Sequence, residues 1–232
     1  MIKAILFDVF GTLVDWRRSI VNEAKDVFKN ENFNIDLEKM VIEWRLQYLP
    51  ALSEANRNDE RWKNLDEIHQ DTLEKVLNKM RINFLNDIHK EKLVLAWHKL
   101  KPWEDSCETI KSLNNSFITA TLSNGHIELQ KNLLKNAKLD IDFIFSAEHF
   151  KKYKPEKIVY LGSANYLNLK TTECALVASH KSDLQAASRV GYKTIFVSRV
   201  DEYGQYREKF SQSNFKADIN LNSFKKIKEI FL

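Results

Sequence analysis

Residues 5–16 read ILFDVFGTLVDW, and the fold turns on them. The run IKAILF at 2–7 has the length and apolar content of a buried strand, and it stops at Asp8. Gly11 and Thr12 follow within four residues, so the backbone must turn sharply beside a carboxylate. A lone aspartate after a strand is most often a helix cap, so its meaning depends on what the rest of the chain brings to the same edge.

Outward from this stretch, residues 15–98 carry helical spacing almost throughout. SIVNEAKDVFKNE places Ile20, Ala24, Val27 and Phe28 on one face, and DLEKMVIEWRLQYL, WKNLDEIHQDTLEKVLNKM and HKEKLVLAWHKL repeat the pattern. After KPWEDS the chain alternates. SFITATLSNG, IDFIFSAE, CALVAS and KTIFVS read as strands. HIELQKNLLKNA, PEKIVYLGSANYL (with proline in its first turn), DLQAASRVG and a closing NSFKKIKEIF read as helices. Such alternation predicts an α/β fold, a parallel sheet with helices on both faces. The expected division is a core of 1–14 and 99–232 with an inserted helical cap of 15–98 over the sheet's carboxyl edge. Residues 199–216 are polar without a clean period and read as a long loop.

Ligands bind open α/β sheets outside the carboxyl ends of the strands. The first strand delivers Asp8 there, the second Ser123 and Asn124, the third leads to Lys154, and the fourth delivers Ser179, His180 and Asp183. Four strand ends carrying such groups into one crevice are hard to read as four helix caps.

DVFGTL, LSNG, KP and HKSDLQAA together resemble the haloacid dehalogenase superfamily, and within it the type II 2-haloacid dehalogenases. The resemblance implies a Rossmann-like core with a helical cap, a homodimer, and hydrolysis of a short (S)-2-haloacid to an (R)-2-hydroxy acid and halide, without metal or other cofactor. It also implies residue roles. Asp8 is the nucleophile, with Phe10 and Thr12 beside it. Arg45, in EWRLQYL, handles the halide. Lys154 and Asp183 complete the catalytic set, with Asp183 the candidate for activating water, alone or with Lys154 and His180. Ser123, Asn124 and Tyr160 line the substrate and halide site. Phe10, Thr12, Ser179 and His180 are expected to line it too, the last two from their place at the end of the fourth strand, since the family pattern gives no role to a histidine there. The chain departs from the type II pattern at Leu46, Ala178, His180 and Ser182.

Phosphatases of the same superfamily use a second aspartate two residues after the nucleophile as acid for the leaving oxygen. Phe10 stands there. A halide leaves without a proton, whereas an alkoxide needs one. Ser179 likewise offers a hard cation less than a carboxylate would. A magnesium-dependent phosphohydrolase and a non-catalytic binder of small anions are the alternatives.

Composition narrows the rest. Charged residues make up 29% of the 232, and 36 basic against 32 acidic residues leave a formal charge of +4, too little to argue for nucleic acid. No apolar stretch suits a membrane span and the start lacks a signal-peptide pattern, so the expectation is a cytoplasmic protein. Cys107 and Cys174 lie outside any CxxC spacing and read as reduced thiols. His69, His89, His98, His126 and His149 show no close metal-ligand spacing.

Overall fold

In β1 (Ala4–Phe7) successive side chains point to opposite faces of a sheet, and all four are buried. Ile5 and Phe7 join one core cluster with Val177, Ile195 and Phe224. Ala4 and Leu6 join the other with Leu122, Leu176, Tyr160 and Leu184. A strand apolar on both sides has to be covered on both sides, which is the condition of a parallel sheet.

The computed structural model describes residues 1–29, 35–58, 61–210 and 213–231. After β1 comes a short β2 (Val14–Asp15), then α1 (Trp16–Val27), α2 (Leu37–Leu46), α3 (Tyr48–Arg57), α4 (Leu65–Lys79) and α5 (Asp87–Leu95). A 3-10 turn, Ala96–Lys99, returns the chain to β3 (Lys101–Pro102), which pairs antiparallel with β2. This two-stranded pair lies where the chain passes from β1 to the helices α1–α5 and returns toward the remaining strands. The α/β part continues with α6 (Ser106–Leu113), β4 (Ile118–Ser123), α7 (Ile127–Ala137), β5 (Phe143–Ser146), α8 (Ala147–Phe150) and α9 (Lys157–Tyr166). It ends with β6 (Cys174–Ala178), α10 (Lys181–Arg189), β7 (Lys193–Val197), β8 (Ile219–Leu221) and α11 (Lys228–Phe231).

The six-stranded sheet runs β5-β4-β1-β6-β7-β8, with every neighbouring pair parallel. β1 is therefore interior, and the chain order reverses beside it. That is the topological switch point at which ligands gather.

Three local readings are corrected. β8 is a sixth strand that the sequence pattern did not reveal, because three residues are too few to show alternation. The closing helix is a 3-10 turn, Phe224–Ile227, followed by the four residues of α11. α9 starts at Lys157, so Pro155 precedes the helix instead of lying in its first turn. The stretch 199–216 holds a 3-10 helix, Gly204–Lys209, while 211–212 lie outside the described residues. Both cysteines are free, Cys174 buried and Cys107 partly so, and burial raises both thiols, Cys174 to about 11. No helix among the described residues is long and apolar enough to cross a membrane.

Candidate active site

Asp8 follows the last residue of β1, and its backbone N–H donates to Val177 O at 3.0 Å, which fixes it at the carboxyl edge between β1 and β6. Gly11 takes φ +83, a left-handed conformation that glycine adopts without steric cost. The turn it makes brings Thr12 back, so that the Thr12 hydroxyl donates to Asp8 Oδ2 at 2.8 Å. Lys154 Nζ donates to Asp8 Oδ1 at 2.9 Å and to Asp183 Oδ2 at 2.5 Å. The Tyr160 hydroxyl donates to Asp183 Oδ1 at 2.6 Å. Asn124 Oδ1 accepts the Lys154 backbone N–H at 2.8 Å and so braces the loop that presents the lysine.

His180 lies on the other side of Asp8. Its Nδ1 is 2.9 Å from Asp8 Oδ2, and its Nε2 is 2.9 Å from Glu202 Oε1. Glu202 is 2% exposed. It also accepts the Trp16 indole N–H at 3.0 Å and lies 3.4 Å from the Ser179 hydroxyl. The Ser179 backbone N–H donates to Thr12 Oγ1 at 2.9 Å, which leaves the threonine proton for Asp8.

These contacts decide the protonation states. Burial alone would raise the Asp8 carboxyl, but Lys154 and then His180 outweigh it and hold it well below the usual range. Burial opposes charge on Lys154, yet Asp183 and Asp8 keep the ammonium charged. Burial likewise opposes charge on His180, and Glu202 overrides it, so the imidazolium persists well above its ordinary range. Asp183 is raised, by burial first and by the nearby Asp8 charge, against the pull of Lys154. The Tyr160 hydroxyl is raised by burial and by Asp183, so it remains a donor.

Arg45 comes from α2. It is buried, and its guanidinium lies over Tyr48 at 4.0 Å, Trp16 at 5.2 Å and Trp97 at 5.8 Å from the ring centroids. Its Nη1 is buried and has no hydrogen-bond partner among the described residues. Phe10 is buried edge-on to Trp97 at 5.8 Å.

The family model described as haloacid dehalogenase-like hydrolase matches residues 5–197. The chain belongs to that family. Among curated relatives, (S)-2-haloacid dehalogenase 4A of Burkholderia cepacia is 28% identical over 88% of this chain and 87% of its own. (S)-2-haloacid dehalogenase of Xanthobacter autotrophicus is 26% identical over 90% of this chain and 79% of its own. Among solved structures, a defluorinating L-2-haloacid dehalogenase superposes with a TM-score of 0.93 at 30% identity, covering 99% of this chain and 95% of that one.

In this haloacid dehalogenase-like hydrolase, Asp8, Thr12, Lys154, Tyr160, Ser179, His180 and Asp183 form one hydrogen-bonded cluster, and Asn124 is tied to it through the Lys154 backbone. Ser123 is fully buried, and its hydroxyl accepts the Gly125 N–H at 3.1 Å. Phe10 packs against Trp97 and brings no polar atom. Sequence reasoning missed Glu202, which the loop after β7 carries into the crevice. A carboxylate just past a strand's carboxyl end was the available signal, obscured by reading the whole stretch as an undifferentiated loop. It also left the aromatic partners of Arg45 unspecified. His180, a departure from the type II pattern, is explained by Glu202: the two side chains form a bonded pair.

Proposed function

We propose that this hydrolase removes halide from short (S)-2-haloacids by way of an ester on Asp8, giving (R)-2-hydroxy acids without a metal in the reaction. The observation that carries the reading is a buried, ionised Asp8 linked through His180, Glu202 and Trp16 to a buried guanidinium whose Nη1 has no partner among the described residues. The first suits attack at carbon and the second suits a departing anion. Phe10 supports it, since no acid stands where a phosphatase would protonate its leaving group.

An Asp8 oxygen attacks C2 opposite the halide, and the C–X electron pair leaves with the halide toward Arg45 and its aromatic cage. One attack from behind inverts the configuration. Lys154 and Ser123 with its neighbouring backbone amides are the groups proposed to receive the substrate carboxylate. Water then attacks Asp8 Cγ. Asp183 is the base in this reading: each of its oxygens accepts one hydrogen bond and keeps a lone pair, and burial raises its carboxyl, so it takes the proton from the attacking water. The His180 imidazolium, held by Glu202, stabilises the oxyanion that forms on Asp8 Oδ2. As the tetrahedral intermediate collapses, the proton on Asp183 passes to the departing alkoxide oxygen.

The test is halide release from 2-chloropropionate and fluoroacetate, with and without chelator. A single turnover in heavy-oxygen water should place the label in Asp8 and none in product. Activity abolished by chelator and restored by magnesium, or label in first-turnover product, would overturn the proposal.

A further inference from the structure

Outside the Asp8 cluster, one group of metal-ligating side chains stands out among the described residues. Asp66, His98 and His126 each offer a ligand atom, all within 4.8 Å of one another. They come from three separate elements: Asp66 from the first turn of α4, His98 from the 3-10 turn that closes the helical block, and His126 from the residue before α7. We propose that Asp66, His98 and His126 form a binding site for a zinc-class divalent cation that ties the helical block to the sheet domain.

The spacing supports this directly. Zinc bonds of about 2.0–2.1 Å in tetrahedral geometry set ligand atoms about 3.3 Å apart. His98 Nε2 lies 3.1 and 3.0 Å from the two Asp66 oxygens, and His126 Nε2 lies 3.5 Å from Asp66 Oδ2. Both imidazoles are buried, at 6% and 5% exposure. His126 turns Nε2 toward Asp66, and its Nδ1, on the far side of the ring, is buried without a hydrogen-bond partner among the described residues. His98 has the outer partner that metal-bound histidines usually carry: the Asn132 carboxamide is 3.0 Å from Nδ1. A half-turn of that amide presents its oxygen to an Nδ1–H, leaving Nε2 for the metal. Asp66, with a side chain 25% exposed, gives an entry path and room for a water in the fourth position.

The ligand set of two imidazoles and one carboxylate suits zinc or cobalt and gives magnesium, which prefers oxygen, little. The cation takes no part in the chemistry at Asp8. Its effect is mechanical: a bond from α4 to the start of α7 holds the block down on the loop that carries Asn124.

Cobalt titrated into the metal-free full-length protein reads the site without reference to dehalogenation. One equivalent should give the visible bands of a four-coordinate ion, and zinc should displace them. Zinc, but not magnesium, should raise the thermal midpoint by about 5 °C at saturating concentration. Asp66→Asn and His126→Gln, each folded by circular dichroism, should lose both signals. If one variant fails to fold, the other carries the comparison. No visible band at one equivalent, or bands unchanged in a folded variant, would overturn the site.

Discussion

Glu202 sits where a substitution has few ways to relax. A Cβ added at Gly11 would lie 2.1 Å from Glu202 Oε1, and the carboxylate is held by Trp16 and His180. Gly11→Ala is therefore expected to displace Glu202 and to strain a left-handed turn, lowering turnover while the protein still folds; pre-steady-state halide release and circular dichroism measure the two effects. Glu202→Gln asks a narrower question. The ester should still form on Asp8 but hydrolyse about a hundredfold more slowly, so that a mass shift on the Asp8 peptide accumulates. Hydrolysis at the parent rate would remove Glu202 from the mechanism. Lys154→Ala strands two buried carboxylates, and loss of one partner from such a group costs about 3–5 kcal/mol. Without the ammonium both carboxyls move upward, so the folded variant binds protons that the unfolded chain releases. Its deficit should be largest near neutrality and shrink as the pH falls toward the carboxylate range, as urea unfolding at several pH values would record.

At the scale of elements, α2 matters because it carries Arg45 across from a part of the chain that packing alone could explain. If the guanidinium receives the halide, its contribution grows as charge develops on the leaving atom. Arg45→Ala should slow alkylation of Asp8 about a hundredfold, roughly 3 kcal/mol. Arg45→Lys keeps the charge, loses the planar fork and should fall between. Hydrolysis of an ester already formed should suffer less, and rapid-quench kinetics separates the steps. The elements also differ in how far they could be read. The five longer strands of the sheet were legible because each is a short apolar run closed by a polar residue. The helices α1 and α4 were legible from apolar spacing. β8 was not, because its register comes from pairing with β7 rather than from its own pattern. The Asp66, His98 and His126 group was invisible for a related reason: its members lie far apart in sequence and on different elements, so no spacing rule could connect them.

Across the whole molecule, the sheet and the Asp8–Lys154–Asp183 core of the candidate site followed from residues at strand ends, where topology leaves little choice. What remained hidden was whatever long loops contribute, since a loop's path is set by the surface it crosses. The pH response is a property of the assembled cluster. Asp8, lowered from 3.8, contributes stability that is present above that value and is lost only as pH falls through its lower folded value. Asp183, raised, offsets part of this at the acid end. His180, raised from 6.5, contributes below that value and loses it as pH rises through its higher folded value. Glu202→Gln should therefore bring the alkaline decline to lower pH in thermal melts across the range; an unchanged alkaline shoulder would contradict the His180–Glu202 coupling. The interior place of β1 has a further consequence, for synthesis. Asp8 leaves the ribosome 172 positions ahead of His180, to which it is bonded in the folded protein. At roughly 5–20 residues per second, the aspartate waits roughly 10–30 s for that partner. A nascent chain exposes Asp8 without its partners, and the buried charge cluster closes only after His180 has emerged.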